Sequence, residues 1–196
     1  MPKRNKSGRK VLPVRGTALL FLDLITDFEF EDGEKLLRNT IPVTKNLRAL
    51  KDRASRAGVA VIYVNDNFGK WQEDFKTMSE HFARHDAKGR EVVRSLQPGS
   101  EDYYVLKPHR SAFYSTTLEI LLRELQITTL VVTGITTDIC VLFSANDAYM
   151  RGFELYVPSD CVAAVESKHS KRTLEFMERV LKADTRPSNK ISFRKA

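Results

Sequence analysis

Three side chains of this 196-residue chain combine the types that nucleophilic catalysis needs: the carboxylate of Asp23, the ammonium of Lys107 and the thiol of Cys140. Each stands at the end of a short apolar run. Thr17 to Leu22 closes on Asp23, Val59 to Val64 on Asn65 and Asp66, and Tyr103 to Leu106 on Lys107. Thr129 to Thr133 passes through Gly134 into the turn that carries Cys140. A thiol becomes a good nucleophile where its surroundings favour the anion. The spacing predicts Cys140 in the first turn of a helix starting at Asp138, where unpaired N–H groups and the dipole favour negative charge. Lys107 would stabilise the thiolate, Asp23 would take the thiol proton and return it to a leaving group, and the backbone N–H groups would hold an oxyanion. Each residue also has a plain structural reading: an acid at a strand end, a surface lysine, a core cysteine.

The elements that must position these groups follow from periodicity. Short continuous apolar runs are the pattern of strands buried on both faces. They are predicted at 17–22, 59–64, 103–106, 129–133 and 153–157, with a further short strand at 191–193. Helical spacing covers Gly33 to about Arg56, with Pro42 expected to kink or divide it. Further helices are predicted at 75–84, 117–126, 138–151 and 166–181, with Gly152 as a C-cap. Strands alternating with helices predict one α/β domain, a mostly parallel sheet covered on both faces, whose ligands sit beyond the carboxyl ends of its strands.

Composition narrows the class. With 42% hydrophobic and 29% charged residues the chain has the balance of a soluble globular domain. No apolar run approaches the roughly 20 residues that span a bilayer. Two cysteines, Cys140 and Cys161, make no disulfide scaffold and suit a cytoplasmic, reducing setting, Cys161 as a buried structural thiol. The net charge of +7 does not mark a nucleic-acid binder, because it is concentrated at the ends. Residues 1–15 hold six basic side chains and no acidic one, and residues 182–196 hold five against one. These segments are expected to be mobile tails flanking a domain at 16–181, the second carrying a short edge strand.

The motifs Ala18-Leu-Leu-Phe-Leu-Asp-Leu-Ile-Thr-Asp-Phe28, Val105-Leu-Lys-Pro-His-Arg-Ser-Ala-Phe113 and Val132-Thr-Gly-Ile-Thr-Thr-Asp-Ile-Cys-Val141, followed by Ser144-Ala-Asn-Asp-Ala148, occur in that order. By them the chain resembles the isochorismatase-like cysteine hydrolases, the group that includes nicotinamidases and N-carbamoylsarcosine amidase. The resemblance implies a six-stranded parallel sheet, dimers or tetramers, and an Asp23–Lys107–Cys140 triad. It also implies a cis peptide at Ile135–Thr136 that aims the N–H groups of Thr136 and Cys140 at the substrate carbonyl. The implied reaction is hydrolysis of a small amide or ureido C–N bond through a thioester, with no cofactor. Vinyl-ether hydrolysis of an isochorismate-like substrate, and a non-catalytic binding module of the same fold, are the alternatives.

Departures from the family pattern sharpen the reading. Nicotinamidases carry an Asp-x-His metal motif after the second strand; here that stretch is Asp66-Asn67-Phe68, and a phenyl ring offers no ligand atom. No metal is therefore expected, and nicotinamide is disfavoured as substrate. Retention of Cys140 favours amide over vinyl-ether cleavage. Phe28, Phe68 and Trp71, just past the first two strands, are the candidates for an aromatic wall of the pocket. Asp138, at a predicted helix start, reads as an N-cap.

Overall fold

The computed structural model describes residues 8–67, 69, 74–83 and 87–194. Phe68 and Trp71 lie outside the described residues, so their expected place in the pocket wall is not addressed by the structure. The elements are β1 (Lys10–Pro13), β2 (Thr17–Leu22), α1 (Gly33–Ala57), β3 (Ala60–Asp66), α2 (Phe75–Phe82), α3 (Arg90–Ser95) and β4 (Tyr103–Lys107). They continue with α4 (Leu118–Glu124), β5 (Thr129–Ile135), α5 (Leu142–Met150), β6 (Glu154–Tyr156), β7 (Val162–Ala163), α6 (Ser167–Val180) and β8 (Ile191–Arg194).

The main sheet is parallel and six-stranded, in the order β4-β3-β2-β5-β6, with β7 pairing β5 beyond the end of β6. Every residue of β2 and β5 is buried, as a central parallel strand covered on both faces requires. The pleat sorts β2 between two cores. Leu19 and Phe21 pack with Leu36, Leu47, Leu50 and Ala54 of α1 on one face. Ala18, Leu20 and Leu22 pack with residues of α4, α5 and α6 on the other. The chain builds outward from β2 to β3 and β4, then crosses back to place β5 on the other side of β2. The strand order thus reverses between β2 and β5, and the crevice at such a point is where open parallel sheets bind ligands.

Three expectations need correction. Pro42 does not divide α1, which runs unbroken over 25 residues. It lies on the exposed side, where the carbonyl it cannot serve faces water, while Leu36, Thr40, Leu47 and Leu50 anchor the opposite face. Residues 10–13, expected in a mobile basic tail, form β1, which pairs in parallel with β8 as a separate two-stranded sheet and buries Leu12 and Ile191. Helix α3 escaped the sequence reading because its six residues, under two turns, are too few to show a period.

Candidate active site

Asp23 directly follows β2. Its N–H donates to Val64 O at 3.0 Å, carrying the ladder one residue past the strand, and its backbone then turns left-handed at φ 52°. The side chain is held at both oxygens: the Asp66 N–H donates to Oδ1 at 2.7 Å, and Lys107 Nζ lies 2.9 Å from Oδ2. Neighbouring Asn65 fixes the loop after Asp23, accepting from Ile25 N at 3.2 Å and donating to Ile25 O at 2.7 Å.

Lys107 ends β4 and is wholly buried. A buried ammonium needs partners, and it has three: Asp23, Asp66 Oδ2 at 3.6 Å and Cys140 Sγ at 3.6 Å. Burial alone would pull the Lys107 pKa down, but the negative charge of Asp23, with Cys140 and Asp66, outweighs it and holds the pKa above its usual 10.5.

Cys140 is presented by a tight piece of chain. At Gly134, φ is 118° and an added Cβ would stand 2.1 Å from Leu22 O, so only glycine lets β5 lie this close to β2 at its end. The Ile135–Thr136 peptide bond is cis. Residues Thr137–Val141 then form a π turn, with the Val141 N–H donating to Thr136 O at 3.1 Å, before α5 begins. Such one-turn π segments recur at functional sites. Asp138 is no N-cap: Thr136 occupies that position, and Asp138 Oδ2 instead lies 3.4 Å from His169 Nδ1 of α6.

The electrostatics differ from the sequence-based expectation at one point. Burial, then the Asp23 carboxylate, push the Cys140 thiol up to about 12, against which Lys107 acts only in part. The turn does not make a resting thiolate. Burial also raises the Asp23 pKa, although Lys107 pulls it back. One ammonium sits between two acids, and the carboxylate claims it first. The resting pair is a thiol beside a carboxylate able to take its proton.

Asp23, Asp66 and Cys140 face a cleft of about 440 Å³. Thr26, Phe30, Leu36, Ile135, Ile139 and Val165 contribute to its walls, with Asp23, Asp66, Thr136 and Cys140. The Thr136 hydroxyl is buried and has no hydrogen-bond partner among the described residues. Phe28 does not line this cleft. Its backbone turns left-handed at φ 59° and drops the ring into the core, where a Cβ on Gly89 would stand 2.5 Å from it. Phe30, two residues on, is the aromatic residue that the cleft exposes among the described residues. Sequence reasoning also missed Arg110, another residue of the lining, three positions after Lys107.

Among the described residues the donor set does not fit a metal ion. Position 68 is Phe, Asp66 faces the Lys107 ammonium, and among the described residues no group of three or more His, Cys, Asp or Glu side chains converges. No helix among the described residues is long and apolar enough to cross a membrane.

Comparison with known proteins places this geometry. Residues 17–185 match the isochorismatase domain. The uncharacterized isochorismatase family protein YaaI of Bacillus subtilis is 38% identical over 174 residues, covering 89% of this chain and 95% of that protein. The crystal structure of N-carbamoylsarcosine amidase from Thermoplasma acidophilum superposes with a TM-score of 0.68 at 28% identity, covering 88% of this chain and 96% of the other. The pyrazinamidase/nicotinamidase of Streptococcus mutans gives a TM-score of 0.67 at 28% identity, over 86% and 99% of the two chains.

Proposed function

The chain belongs to the isochorismatase family of hydrolases, and from that premise we propose that it cleaves a small amide or ureido C–N bond with Cys140 as nucleophile and without a metal. The observation that carries this reading is the place of Lys107 Nζ, 2.9 Å from Asp23 and 3.6 Å from Cys140, both of which line the cleft. The amide and carbamoyl substrates named for the amidases that this chain resembles agree with it.

Cys140 Sγ attacks the substrate carbonyl carbon while its proton passes to Asp23, so the raised thiol pKa is overcome within the attack. A carbon–sulfur bond forms and the carbonyl π electrons move to oxygen. That oxyanion is received by the N–H groups of Thr136 and Cys140, with the Thr136 hydroxyl beside them. Collapse breaks the C–N bond, and Asp23 returns its proton to the leaving nitrogen, releasing ammonia or an amine. Water then attacks the thioester, Asp23 takes a proton from it, and the sulfur leaves to recover that proton. Lys107 stays charged throughout and neutralises whichever of Asp23 and Cys140 carries the negative charge. The walls of Phe30, Leu36, Ile135, Ile139 and Val165 suit a small, partly apolar acyl group.

Ammonia release from a panel of primary amides and N-carbamoyl compounds tests the reading. Turnover of at least one by the wild type, abolished in folded Cys140→Ala, is expected. A Cys140→Ala protein that keeps the wild-type rate overturns it.

A further inference from the structure

The charged groups around the cleft can be paired off, with two exceptions. Asp23 and Asp66 face Lys107, and Asp32 is 2.7 Å from Lys35. Glu31 and Arg110 also line the cleft, both exposed, and neither has an ion pair among the described residues. Arg110 stands in the loop between β4 and α4, and that loop is clamped. Before it, Lys107 O accepts the Asn67 N–H at 3.1 Å. After it, the Ser111 hydroxyl donates to Asp147 Oδ2 and accepts the Phe113 N–H, while the buried Ser144 hydroxyl accepts the Ala112 N–H at 2.9 Å. The backbone under Arg110 is therefore fixed on both sides while its side chain stays in solvent.

A guanidinium is always charged and offers a planar fork of donors that matches a carboxylate. Among the lining residues of the cleft it is the cation, and it has no ion-pair partner among the described residues. We propose that Arg110 reads a carboxylate on the substrate, so that the preferred substrates are anionic: small amide or ureido compounds carrying a carboxylate away from the scissile carbonyl. The proposal rests on the hydrolase reading above. Glu31 works against an anion at the rim, so the two residues set the preference in opposite directions.

Iodoacetate and iodoacetamide are matched in size and differ in charge, so they probe the cleft without a known substrate. Their rates of alkylation at Cys140, followed by peptide mass in the full chain, give a ratio in which thiol reactivity cancels. Arg110→Gln is expected to lower the iodoacetate-to-iodoacetamide ratio about tenfold, the loss of one charge-assisted contact. Arg110→Lys is expected to restore part of it, and Glu31→Gln to raise it. A ratio unchanged in Arg110→Gln overturns the proposal. Turnover separates the two claims. If 3-ureidopropionate and n-propylurea are both hydrolysed at equal kcat/KM, Arg110 is not the determinant and the hydrolase reading survives. If the alkylation ratio behaves as expected but no amide or ureido compound is turned over, the hydrolase reading fails and anion recognition by Arg110 stands.

Discussion

Lys107 Nζ lies 3.6 Å from Cys140 Sγ, and the same ammonium is 2.9 Å from Asp23 Oδ2. Asp23 raises the thiol pKa and Lys107 lowers it, so their variants are expected to move it in opposite directions. Asp23→Asn should make Cys140 more acidic in an alkylation pH series, and Lys107→Met should make it less acidic. Yet Asp23→Asn should still lower kcat by roughly 10²- to 10⁴-fold, because the proton acceptor is gone. A more acidic thiol that hydrolyses more slowly separates the base from a group that merely sets charge.

The same thiol links stability to pH. Its folded pKa of about 12 stands above the ordinary 9.0, so between those values the unfolded chain loses a proton that the folded chain keeps. Its contribution is therefore complete below pH 9.0 and is lost as pH rises towards 12. Urea midpoints of the wild type and Cys140→Ala measured across this window are expected to converge with rising pH. A constant difference contradicts the burial assigned to the thiol.

Phe28 and Phe30 should part company on substitution. Phe28→Ala empties a buried core position and is expected to cost about 3–5 kcal/mol in urea unfolding. Phe30→Ala removes exposed cleft wall; it should leave the urea midpoint almost unmoved and raise KM by roughly 3- to 10-fold.

The clamp between Ser144 and the loop after Lys107 gives a further variant. Ser144→Ala strands the Ala112 N–H in a buried setting, at about 1–3 kcal/mol. The urea midpoint should fall accordingly, with slower alkylation of Cys140 because the loop that follows Lys107 loosens.

The positions of Asp23 and Lys107 were legible because a parallel sheet writes itself as apolar runs, and the first polar residue after each run falls at the ligand-binding edge; Cys140 lies farther on, in the turn that follows β5. What lay hidden depends on single dihedrals or distant partners. The left-handed turn at Phe28 breaks the alternation that would tell which aromatic residue faces the cleft, and the space for its ring is made by Gly89, far along the chain. The π turn at Thr137–Val141 keeps a helical apolar pattern while changing its hydrogen bonds, so periodicity reads it as helix. Its dipole suggested an acidic thiol, whereas in the assembled site burial and the Asp23 carboxylate push the thiol up. Strand β1 buries a single large apolar side chain, Leu12, too little to stand out among basic residues, whereas its partner β8 was expected at 191–193.

Titration of the thiol against activity tests the central claim most directly. With any amide that the wild type hydrolyses, activity should fall in strict proportion to the fraction of Cys140 alkylated by iodoacetamide, with Cys161, wholly buried, unmodified. Hydrolysis that persists at full alkylation of Cys140, or that falls with Cys161 instead, contradicts the assignment of the nucleophile.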